Sequence, residues 1–196
     1  MFIVIEGADA TGKETQAKML VSAFKKQGLK AEYLTFPDYG SEYGAFIKNY
    51  LTTGKHPPEE AILLYLLDMY AKKKSVEKIS QEGVLVCDRY WYSNLAYQTA
   101  RPGGELLEDW ITSCASRLPN PDAVFLMNMP AEVSEMLMRE KEKDLHELDM
   151  PYQKTVRLKY LEIAEKQGWK VIDCVKNNAL RSPEDIHKEI LSKVEK

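Results

Sequence analysis

Short apolar runs and longer amphipathic stretches take turns along this chain. Residues 2–5 (FIVI), 31–36 (AEYLTF), 84–87 (VLVC), 123–127 (AVFLM) and 171–174 (VIDC) are rich in strand-forming side chains. At least three of these runs are continuous rather than alternating, the pattern of strands covered on both faces. Between them the spacing predicts helices over 15–27, 58–74, 105–117, 131–140, 152–167 and 183–196. Gly28 and Gly168 stop two of them, and Pro57-Pro58-Glu59-Glu60 and Ser182-Pro183-Glu184-Asp185 open two others with proline and acids in the first turn. Strand and helix alternating throughout predict a doubly wound α/β sheet, with five strands and about eight helices in one domain.

With 196 residues the chain suits one α/β domain better than two. A formal net charge of −3 provides no global basic field for nucleic acid or acidic lipid, so neither is expected as a partner and any nucleotide must be held by a local cluster. Cys87, Cys114 and Cys174 are too scattered for a disulfide framework or a zinc site, which fits a reduced, cytoplasmic setting. No apolar run approaches a membrane span, and MFIVIEG lacks the basic leader and cleavage pattern of a secretory signal.

The first chemistry lies directly after the first strand. Gly7-Ala8-Asp9-Ala10-Thr11-Gly12-Lys13 is G-x-x-x-x-G-K between a buried strand and a helix. Glycines let such a loop curl its N–H groups toward phosphate oxygens, the helix N-terminus adds positive potential, and Lys13 reaches the β- and γ-phosphates. The position after the lysine, where Ser or Thr would bind Mg²⁺, is Glu14, with Thr15 one residue later. A carboxylate there either takes part in metal binding or repels phosphate, and the residues leave both open.

A second anchor follows the strand at 84–87, in Asp88-Arg89-Tyr90. Ligands of open α/β sheets collect beyond the carboxyl ends of the strands, so Asp88 and Arg89 are expected in the same crevice as the phosphate loop. Asp88 suits a metal held through water, and Arg89 a phosphate gripped bidentately. Arginine supplies only six of the 27 basic residues, which makes its presence at a strand end informative. The charged stretch 139–149 (REKEKDLHELD) reads either as a solvated helix end or as a flap over an anionic substrate.

Together these segments resemble the thymidylate kinases of the P-loop nucleoside monophosphate kinase superfamily. Glu6-Gly7-Ala8-Asp9-Ala10-Thr11-Gly12-Lys13-Glu14-Thr15-Gln16 is similar to that family's E-G-x-D-x-x-G-K-x-T-Q. Thr35-Phe36-Pro37-Asp38-Tyr39-Gly40-Ser41 resembles its F-P block, which precedes a short helix. Asp88-Arg89-Tyr90-Trp91-Tyr92-Ser93-Asn94-Leu95-Ala96-Tyr97-Gln98 is close to D-R-Y-x-x-S-x-x-A-Y-Q, the most specific of the blocks, and 139–149 stands where the family carries its lid.

The resemblance implies a three-layer P-loop NTPase fold with a five-stranded parallel sheet, and Mg²⁺-dependent phosphoryl transfer from ATP to dTMP by a homodimer. It implies that residues 7–15 (Gly7, Ala8, Asp9, Ala10, Thr11, Gly12, Lys13, Glu14 and Thr15) bind ATP, with Asp88 and Glu14 toward the metal. Asp9 is expected at the sugar 3′-hydroxyl, and Phe36, Pro37 and Tyr65 around the base. Arg89 is expected at the acceptor phosphate, Tyr97 against the sugar 2′ position, and Ser93 and Gln98 at the base edge. The charge clamp is then Lys13, Arg89 and the lid's Arg139, with Asp9 setting geometry. Met69 and Tyr39 stand where family members carry arginines for the thymine carbonyl and the acceptor phosphate. These departures leave phosphoryl transfer intact and leave open a different pyrimidine acceptor such as dUMP. Glu14 leaves open a protein that binds nucleotide without catalysis.

Overall fold

The computed structural model describes residues 1–53, 57–138 and 150–194. Its sheet contains β1 (Phe2–Glu6), β2 (Ala31–Thr35), β3 (Val84–Asp88), β4 (Ala123–Asn128) and β5 (Lys170–Asp173). All five run parallel, in the order β2-β3-β1-β4-β5. The central strands β1 and β3 are buried at every position, and β4 at all but its ends, which is why their sequences are continuously apolar.

Alternation along those strands feeds two cores. Ile3, Ile5, Val86, Phe125 and Met127 pack with Leu20 and Phe24 of α1 (Lys13–Lys26) and Ile186 and Ile190 of α8 (Pro183–Val194). Phe2, Val4, Leu85, Cys87, Val124 and Leu126 pack against α3 (Pro58–Glu82), α4 (Trp91–Thr99), α5 (Glu108–Ala115) and α7 (Met150–Gln167). The result is the three-layer arrangement that strand–helix alternation predicts. A smaller cluster of Ile47, Tyr50, Leu51 and Ala61 joins α2 (Glu42–Thr53) to α3, and α6 (Ala131–Met138) follows β4.

Several expected bounds move. α3 runs on past residue 74 to Glu82 because Val76 continues its buried face, and it ends at Gly83. The helix expected over 105–117 divides into a 3₁₀ turn at Gly104–Leu107 and the shorter α5. α2 and α4 have no counterpart among the helices spelled out from periodicity. A small hairpin, β6 (Val175–Lys176) with β7 (Ala179–Leu180), turns on Asn177 and Asn178, both at positive φ. No described helix is long and apolar enough to cross a membrane.

Candidate active site

The carboxyl ends of β1 and β3 lie side by side, with Ile5 level with Asp88. The Arg89 N–H donates to the Ile5 carbonyl at 2.9 Å. The phosphate loop and the Asp-Arg pair therefore share one crevice, as the strand-end rule requires. Gly7 lies so close to β4 that a Cβ there would meet the Met127 carbonyl at 2.8 Å, and its φ of 147° is open only to glycine. Gly12 takes φ 83° at the entry to α1, whose first turn has no side-chain cap. The positive end of that helix thus remains available to an anion.

Lys13 opens α1 and is buried. Its Nζ folds back along the loop, donating to the Ala8 carbonyl at 2.6 Å and, at 3.5 Å, toward Thr11 Oγ1. Burial first, and the neighbouring Arg89 second, lower the Lys13 ammonium from 10.5 to about 8, against the opposing pull of Asp88, Asp9 and Glu6. Thr11 is tied within the loop by its hydroxyl bond to the Ala8 carbonyl.

Arg89 holds a positive φ of 67°, uncommon for a residue with a side chain. One guanidinium nitrogen, Nη2, pairs with Asp9. The other, Nη1, donates to the Gly7 carbonyl at 3.1 Å, Ser93 Oγ at 3.3 Å and the Tyr160 hydroxyl at 3.4 Å. The guanidinium also lies 5.6 Å from the centre of the Tyr97 ring. Burial pushes the Asp9 carboxyl up, but Arg89, then Lys13, Tyr97 and Gln153 outweigh it and hold the group below its ordinary value. The Tyr97 hydroxyl donates to Asp9 at 2.5 Å. Asp9 therefore joins the loop to both α4 and α7.

Beside this cluster opens a cleft with about 570 Å³ of empty space. The polar Asp9, Arg89, Ser93, Tyr97 and Gln98 line it together with Phe36, Pro37, Tyr39, Leu51 and Tyr65. Both family departures, Met69 and Tyr39, line it too. Phe36 is wedged against Tyr90 at a ring separation of 5.9 Å and is almost wholly buried. Gln98 is fully buried with neither amide atom partnered among the described residues, and the buried Asn94 Oδ1 is likewise unpartnered. The Asn94 amide nitrogen is committed to the Ile62 carbonyl at 3.1 Å, so its oxygen is the atom left over.

Two expected residues have side-chain oxygens engaged within the chain. Glu14 is exposed on α1 and ion-paired with Lys18 one turn on, because the position after Lys13 faces outward. Ser93 lines the cleft, but its hydroxyl is bonded to Glu6 at 2.6 Å and lies 2.8 Å from the Tyr160 hydroxyl, rather than being held free for a base. Thr15 is also exposed, away from the loop's interior. Asp88 is buried at the end of β3, with Oδ1 unpartnered among the described residues. Arg139 and the lid segment 139–149 lie outside the described residues. The motifs include Glu6 and Asn94 without a role and do not reach Gln153 and Tyr160. The available signal was a glutamate inside an apolar strand and polar groups on otherwise buried helix faces.

Fold and site together define a P-loop phosphotransferase of the nucleoside monophosphate kinase class. The sequence model of the thymidylate kinase family matches residues 5–190, and the chain belongs to that family. It is 37% identical to the probable thymidylate kinase of Pyrococcus abyssi, an alignment covering 98% of this chain and 95% of the relative. Identity to the thymidylate kinase of Danio rerio is 32%, covering 96% and 86% of the two chains. The solved thymidylate kinase of Candida albicans superposes with a TM-score of 0.84 at 23% identity, covering 99% of this chain and 90% of that one, a likeness of fold. Family membership carries the activity: this is an ATP:dTMP phosphotransferase that makes dTDP.

Proposed function

We propose that the 7–13 loop holds the ATP triphosphate while the cleft beside Arg89 holds dTMP, with Asp9 at the junction of the two. The carrying observation is the direct pairing of Asp9, on the phosphate loop, with Arg89, both of which line the cleft, beside the loop's own buried Lys13. Phosphoryl transfer asks a protein mainly to align donor and acceptor and to gather positive charge around the moving group. Lys13 and Arg89 supply that charge from opposite sides of the junction. The acceptor is already an ionised phosphate oxygen, so no general base is required.

The acceptor's base is read by the two buried amides. Asn94 has an unpartnered Oδ1 among the cleft-lining residues, while its nitrogen already donates one proton to the Ile62 carbonyl. An acceptor there favours the N3–H of thymine or uracil and disfavours cytosine, whose N3 is itself an acceptor. Gln98 can then serve a base carbonyl, the task that Met69 cannot perform. Tyr97, held by Asp9, crowds the sugar 2′ position and favours a deoxyribose, with Asp9 near the 3′-hydroxyl.

The donor set suits Mg²⁺ bound chiefly by phosphate. Among the described residues no three His, Cys, Asp or Glu side chains gather into a metal cluster, whereas Asp88 has a buried, unpartnered oxygen that would hold the ion, directly or through water. Bound there, the ion would offset phosphate charge. Glu14, exposed and paired with Lys18, is less suited to this role.

Three unpaired cysteines suit the cytoplasm. Exposed Leu63 and Leu67 on one face of α3, with exposed Phe46 on the adjoining α2, suit a homodimer. The family match does not favour a non-catalytic nucleotide binder. A coupled ADP-release assay over a panel of monophosphates, with and without Mg²⁺, tests the proposal. Turnover is expected with dTMP, weaker turnover with dCMP, and little without metal. Equal rates for dCMP and dTMP would contradict the amide reading.

A further inference from the structure

Glu6 is the one fully buried acid on β1, and the phosphoryl-transfer chemistry above gives it no part. Its carboxylate is not idle. Oε1 accepts the Tyr90 N–H at 2.7 Å, and Oε2 accepts the Ser93 hydroxyl at 2.6 Å and the Tyr160 hydroxyl at 3.2 Å. Those same two hydroxyls, 2.8 Å apart, are the ones that Arg89 Nη1 approaches at 3.3 and 3.4 Å. A chain of contacts therefore runs from Glu6 through two hydroxyls to the guanidinium, with a second route through the Tyr90 N–H to the backbone carrying Arg89.

We propose that Glu6 is a positioning residue for the acceptor phosphate, setting the orientation in which Arg89 meets it; this rests on the reading of Arg89 as the phosphate-binding arginine. Proton direction decides which partner Arg89 meets. A carboxylate only accepts hydrogen bonds, so the Ser93 proton points at Glu6, and the Tyr160 proton points at Glu6 or Ser93. Both hydroxyl oxygens then turn lone pairs toward Arg89, which only donates. A group with its own N–H or O–H in the same place would donate to one hydroxyl and turn a hydroxyl proton against the guanidinium. The Tyr90 N–H bond acts on the main chain, where Arg89 stands at φ 67° and needs fixed neighbours to remain there.

Glu6 does this at a cost to its own ionisation. Burial raises it from 4.5 to about 7, although Ser93, Arg89, the Tyr90 N–H and Lys13 all favour the charged form. The carboxylate is thus poorly suited to a purely stabilising role, and well suited to one that needs an acceptor facing Arg89. The other ionisable groups that feel its charge are Cys87 on β3, Tyr92 on α4 and Tyr160 on α7.

The test is steady-state kinetics at pH 8 on the full chain, comparing Glu6→Gln, a Ser93→Ala/Tyr160→Phe double variant, their combination, and Arg89→Lys. Glu6→Gln is expected to melt close to wild type and to raise the dTMP KM at least tenfold, with the ATP KM within twofold. The double variant should shift the same constant in the same direction. Glu6→Gln should add less than threefold to it, because both changes cut one chain of contacts. Should Glu6→Gln fail to fold, the double variant decides alone, and an unchanged dTMP KM overturns the proposal. So does a folded Glu6→Gln with a wild-type dTMP KM, equal rises in both KM values, or independent, multiplying effects. A wild-type-like Glu6→Gln beside an impaired Arg89→Lys overturns this proposal alone. A wild-type-like Arg89→Lys overturns the reading of Arg89 and the proposal with it.

Discussion

Lys13 is held in two minds by its surroundings. Three acids favour its charge, while burial and Arg89 oppose it, and the balance brings it to about 8. Phosphate binding requires the ammonium form, so ATP affinity should be intact below pH 8 and should fall as pH rises through it. The decline is expected to reach up to about tenfold per pH unit above that point. Calorimetric titration of ATP between pH 7 and 9.5 reads this directly, and a flat profile would contradict it. Legibility at this scale follows the directness of each residue's signal. Lys13, Asp9 and Arg89 announced themselves because glycine loops and strand-end charges have few other uses. Glu14 and Ser93 were less legible, because a motif gives spacing along the chain but not which way a helix position faces or which hydroxyl a buried acid has already claimed. Asn94 was silent for a related reason: its value lies in a nitrogen spent on Ile62, a partner on another helix.

At the scale of elements, the cleft proposed for the acceptor depends on how the segment after β2 is tethered to α3. Asp68, fully buried on that helix, accepts the Asp38 N–H at 2.8 Å and the Ser41 hydroxyl at 2.7 Å. Lys72, one turn further on, pairs with the Asp38 side chain at 2.8 Å. Phe36, Pro37 and Tyr39 line the cleft from the strand end and loop so held. Asp68→Ala should release two polar groups, at about 1–3 kcal/mol for each left buried and unpaired. The expected signature is a lower melting temperature and a dTMP KM raised about fivefold or more, with the ATP KM nearly unchanged; equal shifts in both constants would place the effect elsewhere. The five strands were legible because burial on both faces imposes continuous apolar runs. α4 was not, because six of its nine residues are buried and no polar stripe remains to reveal a period. α3 looked short because Lys72, Lys73 and Lys74 interrupt the pattern before Val76 resumes it.

For the whole molecule, two cores flank one sheet, and the chemistry gathers where the central strands end. α3 takes part in both the cleft and the outer surface. Met69 lines the former, while Leu63 and Leu67 are 45% and 44% exposed one turn apart. If that stripe is the homodimer contact, a Leu63→Glu/Leu67→Glu variant should elute as a monomer in light-scattering chromatography at concentrations where wild type is dimeric. An unchanged dimer would move the contact to another face. The α/β class was readable from alternation alone, whereas an association surface leaves only a few exposed leucines as its trace.

The central claim is that donor and acceptor phosphates meet across the junction of Lys13, Asp9 and Arg89. A crystal structure with ADP, Mg²⁺ and dTMP bound tests it most directly. The ADP β-phosphate is expected within the 7–13 loop near Lys13 Nζ, and the dTMP phosphate on the Arg89 guanidinium with its base against Asn94 and Gln98. A dTMP phosphate bound elsewhere, with Arg89 still turned only to Asp9 and the hydroxyls, would contradict it.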